Sequence, residues 1–175
     1  MIAYHGSNHK FSNLKIDRSN VNWDREHEHG LGIYFCTDKH TAQRYGKYLY
    51  VLDINDKYIK DFRNELHCIM FIDNLVNEVF KVTGVDLSNY INLNKLIYCM
   101  LTSELCIGTI YSDFDHELYY SEKAKALSKT KLNEINRAIR VYCKKELEVF
   151  LFESDEPITG LITKIDANTV RLVNI

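Results

Sequence analysis

Apolar residues follow two different periods along this chain, and the changes of period mark its elements. Residues 2 to 5 (IAYH) read as a short strand ending at a Gly6-Ser7 turn, and residues 33 to 36 (IYFC) read as another. Thr37 or Asp38 can cap a helix that runs to about Tyr45. The segment Tyr48 to Ile54 (YLYVLDI), rich in β formers, then completes a strand, helix, strand order. Residues 12 to 30 are polar, with Asn, Asp and His, and read as a surface loop.

From about Asp61 to Thr83 the period becomes helical, with Ile69, Ile72, Val76, Val79 and Phe80 on one face and Gly84 placed as a C-cap. Asn92 can cap a second helix carrying Leu93, Leu96, Ile97, Met100 and Leu101. A third runs from about Thr130 to Lys145, with Leu132, Ile135, Ile139 and Tyr142 together. Three strand-like runs follow, 147 to 152 (LEVFLF), 160 to 165 (GLITKI) and 169 to 173 (TVRLV). The pattern predicts an α+β fold in one domain, 1 to 175. Residues 1 to 57 and 147 to 175 form the sheet, and 58 to 146 form a helical block.

Composition narrows the setting. At 175 residues the chain can bury roughly 70% of its unfolded surface. Its apolar fraction of 46% and aromatic fraction of 12% are those of a packed protein rather than a disordered tail. The formal net charge is −2, without a block of five like charges, so composition does not predict a broad phosphate-binding face. Cys36, Cys68, Cys99, Cys106 and Cys143 are widely spaced and form no CxxC pair, which argues against a disulfide framework and a zinc site and fits a reducing compartment. There is neither a signal-peptide pattern nor an apolar run long enough to span a bilayer, so a cytoplasmic protein without membrane contact is expected.

Two motifs carry candidate chemistry: Tyr4-His5-Gly6-Ser7, and the run from Gly30 to Tyr45 reading GLGIYFCTDKHTAQRY. Together they offer aromatic walls, an amide-reading backbone turn and a ribose-gripping side chain, the three requirements for holding a flat nicotinamide cation on ribose. The His5-Gly6-Ser7 triplet after a strand, the GIYF strand entry and two tyrosines eleven residues apart, Tyr34 and Tyr45, resemble the ADP-ribosyltransferases of the diphtheria-toxin and poly(ADP-ribose)-polymerase type, whose signature is His, Tyr, Glu. The likeness covers about residues 3 to 54.

The resemblance implies a split, mainly antiparallel sheet with a helical insertion, and NAD as substrate without a metal. It implies that His5 bonds a ribose hydroxyl and that the Gly6 backbone meets the nicotinamide carboxamide. Tyr34 and Tyr45 would sandwich the ring, each face contributing about 0.5 to 2 kcal/mol by cation–π attraction. Ser7 supports the turn or the carboxamide, and Cys36 lines the pocket wall. The family's carboxylate, which stabilises an oxocarbenium-like ribose, lies near the C-terminal strands. Here Glu153, Asp155 and Glu156 fall between the first two C-terminal runs, and Glu148 leads EVFLFE. Glu156 is favoured, because small members from phages and bacteria, including an anti-CRISPR enzyme of similar size and order, place the acid just before the penultimate strand. Glu148 is the runner-up, with Glu153 also open.

Taken singly these residues have ordinary readings: His5 a strand-end histidine, the tyrosines core aromatics, the acidic turn a solvated loop. His27 and His29, alternating with Glu26 and Glu28, lack third and fourth metal ligands at a known spacing. Arg18, Trp23 and Arg25 could meet diphosphate or adenine. Asp113, Asp115 and Glu117, beside Tyr119 and Tyr120, read as a partner-facing loop or polar surface. The expected activity is transfer of one ADP-ribose from NAD to a macromolecule, protein rather than nucleic acid, by a toxin, effector or phage-encoded enzyme. The alternatives are an NAD glycohydrolase and a catalytically silent binding module.

Overall fold

The structure is a computed structural model and describes residues 1–10, 12–13, 32–102, 118, 120–147, 149–151, 157–163 and 170–173. The chain separates into two compact units, one carrying the strands up to Asp61 and from Leu147 onward, the other spanning Phe62–Glu146. No helix among the described residues is long and apolar enough to cross a membrane.

The first unit holds strands β1 (Ile2–Ser7), β2 (Ile33–Cys36), β3 (Tyr48–Ile54), β4 (Ile59–Asp61), β5 (Val149–Leu151), β6 (Thr159–Ile162) and β7 (Val170–Val173). They form one sheet in the order β4-β5-β6-β2-β1-β3-β7. Every neighbouring pair is antiparallel except β4 with β5. The fold is α+β, as the sequence pattern predicts. β1 pairs with β3 without interruption from Ile2 opposite Asp53 to Ser7 opposite Tyr48. β1 and β2 share a single rung, Tyr4 opposite Cys36. The sheet is therefore split into halves that meet at that rung.

Alternation of side chains assigns the two faces. Ala3, Ile33, Phe35, Leu52, Ile54, Val149, Leu151, Ile162 and Val170 form a buried cluster, with Tyr50 packed against it. The opposite face carries the short helix α1 (Lys39–Gln43), which Asp38 caps by accepting a hydrogen bond from Thr41 N. α1 stops short of Tyr45 because Arg44 N and Tyr45 N bond the carbonyls three residues back, Thr41 O and Ala42 O, tightening the last turn. β1 continues through Gly6 and Ser7 rather than turning there. β4 was not expected, since the three residues Ile59–Asp61 show no alternation, and their parallel partner lies far along the chain, with Ile59 opposite Val149.

In the second unit, α2 (Glu65–Thr83) starts where the Asn64 side chain accepts from Leu66 N and His67 N. It ends at Gly84, whose φ of 70° is the left-handed conformation glycine adopts without a Cβ penalty. α3 (Leu93–Leu101) is capped by Asn92, and α4 (Lys129–Glu146) follows. The buried side of α2 is Cys68, Phe71, Ile72, Leu75 and Val79, rotated from the expected stripe, and Phe80 is 53% exposed. Apolar residues fill more than one face of this helix, so periodicity alone allowed either setting. Phe71 settles it by packing between Phe62 and Tyr142, with ring centroids 5.2 and 5.5 Å away.

Candidate functional site

Strand alternation separates the expected ligands. Tyr4 and Gly6 lie on the α1 face, and the Tyr4–Cys36 rung puts Cys36 and Tyr34 there too. His5 falls on the other face, opposite Tyr50 of β3, with the two ring centroids 6.2 Å apart. His5 is nevertheless tied to the split, because its Nδ1 lies 2.6 Å from the Tyr34 carbonyl oxygen across the gap between β1 and β2.

That contact fixes the tautomer. A carbonyl can only accept, so Nδ1 carries the proton and donates, leaving Nε2 as the acceptor nitrogen. Burial pulls the His5 pKa below its ordinary 6.5, against the opposing pull of the Tyr34 carbonyl. The ring is neutral at pH 7 and can accept a hydrogen bond from a hydroxyl group.

Gly6 sits where strand and helix meet. A Cβ placed on it would lie 1.9 Å from the Ala42 carbonyl oxygen and 3.3 Å from Tyr45 Cβ. Glycine is thus required here by backbone packing, whatever a ligand needs. The same contact places Tyr45 beside Gly6 on the α1 face, and Tyr45 is 71% exposed, an open aromatic surface rather than a core ring. Gly46 repeats the device one residue on, since its Cβ would strike the Ser7 carbonyl carbon at 2.1 Å. Ser7 Oγ accepts from His9 N at 3.1 Å, holding the chain as it leaves β1.

The end of β2 is locked to β6. Thr37 N donates to Ile158 O at 2.9 Å, and Ile158 N donates to Thr37 Oγ1 at 3.1 Å. Cys36 is buried and its thiol donates to Asp38 O at 3.0 Å, so it braces the β2–α1 corner. Hydrogen bonds from Thr41 hold the Asp38 carboxyl below the usual carboxylate range, which keeps the α1 cap charged.

The structure puts Gly6, Tyr34, Cys36 and Tyr45 on the α1 face at the split and the side chains of His5 and Ser7 on the opposite face. Glu148, Glu153 and Glu156 lie outside the described residues, as do Arg18, Trp23, Arg25, the His27–His29 segment, Cys106 and Asp113 to Glu117. Three further residues contribute, of which the sequence points only to Thr37, and that as a possible helix cap. Tyr50 faces His5 and its hydroxyl donates to His9 O at 3.1 Å; Ala42 supplies the surface against Gly6; Thr37 pins Ile158. The alternation of β3 was the available signal for Tyr50, whereas the other two depend on tertiary approach. In the helical unit, a groove of about 410 Å³ is lined by Asn74, Phe80, Lys81, Tyr142 and Lys145 among others.

No family model and no curated protein matches the chain. A solved structure described as "Crystal structure of an anti-CRISPR protein" is similar over 99% of this chain and 95% of that one, at 14% identity and a TM-score of 0.42.

Proposed function

We propose that the protein is a mono-ADP-ribosyltransferase that uses NAD and modifies a macromolecule, a protein in preference to a nucleic acid. The observation that carries this reading is the grouping of Gly6, Tyr34 and Tyr45 on one face at the sheet's single-rung split, with His5 bonded across it. A flat pyridinium between two tyrosine rings gains cation–π attraction, which orients it as a leaving group. In this reading its carboxamide meets backbone amide groups of β1 at the split. His5, held at the split by its bond to the Tyr34 carbonyl, is the residue for a ribose hydroxyl in this reading.

In this reading the bond between nicotinamide nitrogen and ribose C1′ breaks, its electrons leaving with nicotinamide, while an acceptor nucleophile bonds C1′ and loses its proton. A carboxylate stabilises the developing oxocarbenium charge. Glu156 is preferred for that role because Ile158, two residues further along, is hydrogen-bonded to Thr37 at the end of β2. Glu148 precedes β5, which β6 separates from β2.

Incubation with labelled NAD, with and without cell lysate, tests the reading through two signals, free nicotinamide and label on macromolecules. Transfer to a discrete band supports it. Nicotinamide release without transfer makes the chain a glycohydrolase, and NAD binding without either signal makes it a silent binding module.

A further inference from the structure

Helix α4 carries a charge arrangement that neither net charge nor linear blocks reveal. Lys129, Asn133, Arg137, Arg140 and Lys144 follow the spacing i, i+4, i+8, i+11, i+15, and all five are exposed. At about 100° per residue they fall within about 80° of the helix circumference, and at 1.5 Å rise they span about 22 Å. The buried side chains Ile135, Ile139 and Tyr142 lie on the opposite side.

Acidic residues are sorted away from this stripe. Glu134 pairs with Lys131 at 2.6 Å, and Glu146 is 3.4 Å from Lys145; in the turn before the helix Glu122 is paired with Lys125. No ion pair among the described residues engages Lys129, Arg137 or Lys144. A chain of net charge −2 thus carries four cationic side chains, Lys129, Arg137, Arg140 and Lys144, along one exposed helix face.

We propose that this face of α4 docks the phosphate backbone of a nucleic acid. Lys, Arg and Asn are the side chains that meet phosphate oxygens. Protein interfaces, by contrast, are depleted in Lys and anchored by aromatic residues and Arg; this line holds two lysines and no aromatic side chain. One strand of B-form DNA presents a charge roughly every 3.4 Å, so a line of about 22 Å can reach a separate phosphate with each of its three or four cations. The inference stands apart from the NAD chemistry, and its assay contains no NAD.

The test measures binding of the full chain to a labelled mixed-sequence duplex DNA and to a labelled single-stranded RNA of equal length, between about 50 and 200 mM salt. With three or four contacts, log K should fall against log salt with a slope of roughly −3 for the duplex and slightly less for the single strand. The double variant Arg137→Glu/Lys144→Glu should reduce the slope by about two and weaken binding at every salt concentration, while Lys81→Glu, off the stripe, leaves both unchanged. Circular dichroism checks the fold, and Arg137→Gln/Lys144→Gln replaces the reversal variant if that one misfolds. Absence of binding at about 50 mM salt, or a slope insensitive to the variants, overturns the proposal. So does competition by polyglutamate as strong as by an equal charge of DNA, which would assign the face to an acidic protein.

Discussion

The Ala42 carbonyl oxygen stands 1.9 Å from the point that a Cβ on Gly6 would occupy, so helix α1 rests on bare strand backbone. The obstacle is main chain rather than a flexible side chain, and relief requires α1 to move. Gly6→Ala should lower stability toward the upper end of the overpacking range, about 3 kcal/mol, and displace Tyr45 with the helix. Urea unfolding followed by circular dichroism measures it; an unchanged midpoint would show that α1 does not sit against β1.

The lowered His5 pKa makes stability depend on pH. Below 6.5 an unfolded histidine takes up a proton that the folded site resists, so the unfolded state binds more protons and stability falls as pH drops from 6.5 toward the folded pKa. Above 6.5 the group has no effect. The same protonation converts the Nε2 acceptor into a donor, so NAD turnover should show an acid limb below pH 6.5. His5→Gln should remove turnover and flatten the stability profile in that window. A wild-type acid limb above 6.5 would contradict the burial of this ring.

Tyr45 and Tyr34 should separate function from stability. Tyr45 is 71% exposed, so Tyr45→Ala should change unfolding free energy by no more than about 0.5 kcal/mol. Losing a stacking face worth about 1 to 2 kcal/mol should cut NAD turnover by roughly 5- to 30-fold. Tyr34, on the strand beside the split, should affect both when truncated. Steady-state nicotinamide release and thermal denaturation, read on the same preparations, discriminate the two; normal turnover in Tyr45→Ala would remove it from the site.

Glu156→Gln should lower transfer by the equivalent of one transition-state charge contact, about 3 to 4 kcal/mol or a few hundredfold, with NAD affinity nearly intact. Glu148→Gln should be close to neutral. Single-turnover rates combined with calorimetric NAD binding resolve the pair, and the reverse ranking would move the acid to the head of β5.

Much of the fold is legible in local sequence because it is built from local signals. The Asn64, Asn92 and Gly84 caps and the β3 limits follow from residue types that satisfy or break backbone bonding nearby. The face of α2 was harder, since Phe80 is as apolar as its neighbours and only contact with Phe62 and Tyr142 selects which side turns inward. β4 carried no signal, its pairing with β5 being a matter of tertiary placement. Within the site, His5, Gly6 and the tyrosines could be named from motif spacing. That His5 faces away from Tyr34 and reaches back to it through a backbone carbonyl is a property of the rung at Tyr4 and Cys36.

The strand order also governs when the sheet can be completed during synthesis. β2 finds its outer neighbour only in β6, where Ile33 meets Ile162, and β3 finds its own only in β7, where Leu52 meets Leu172. While a ribosome is still making the helical segment, both of those edges stay open to stray pairing. Such distant closure makes for slow folding. Burst synthesis would therefore favour aggregation, and co-expressed chaperones or lowered temperature should raise the soluble yield.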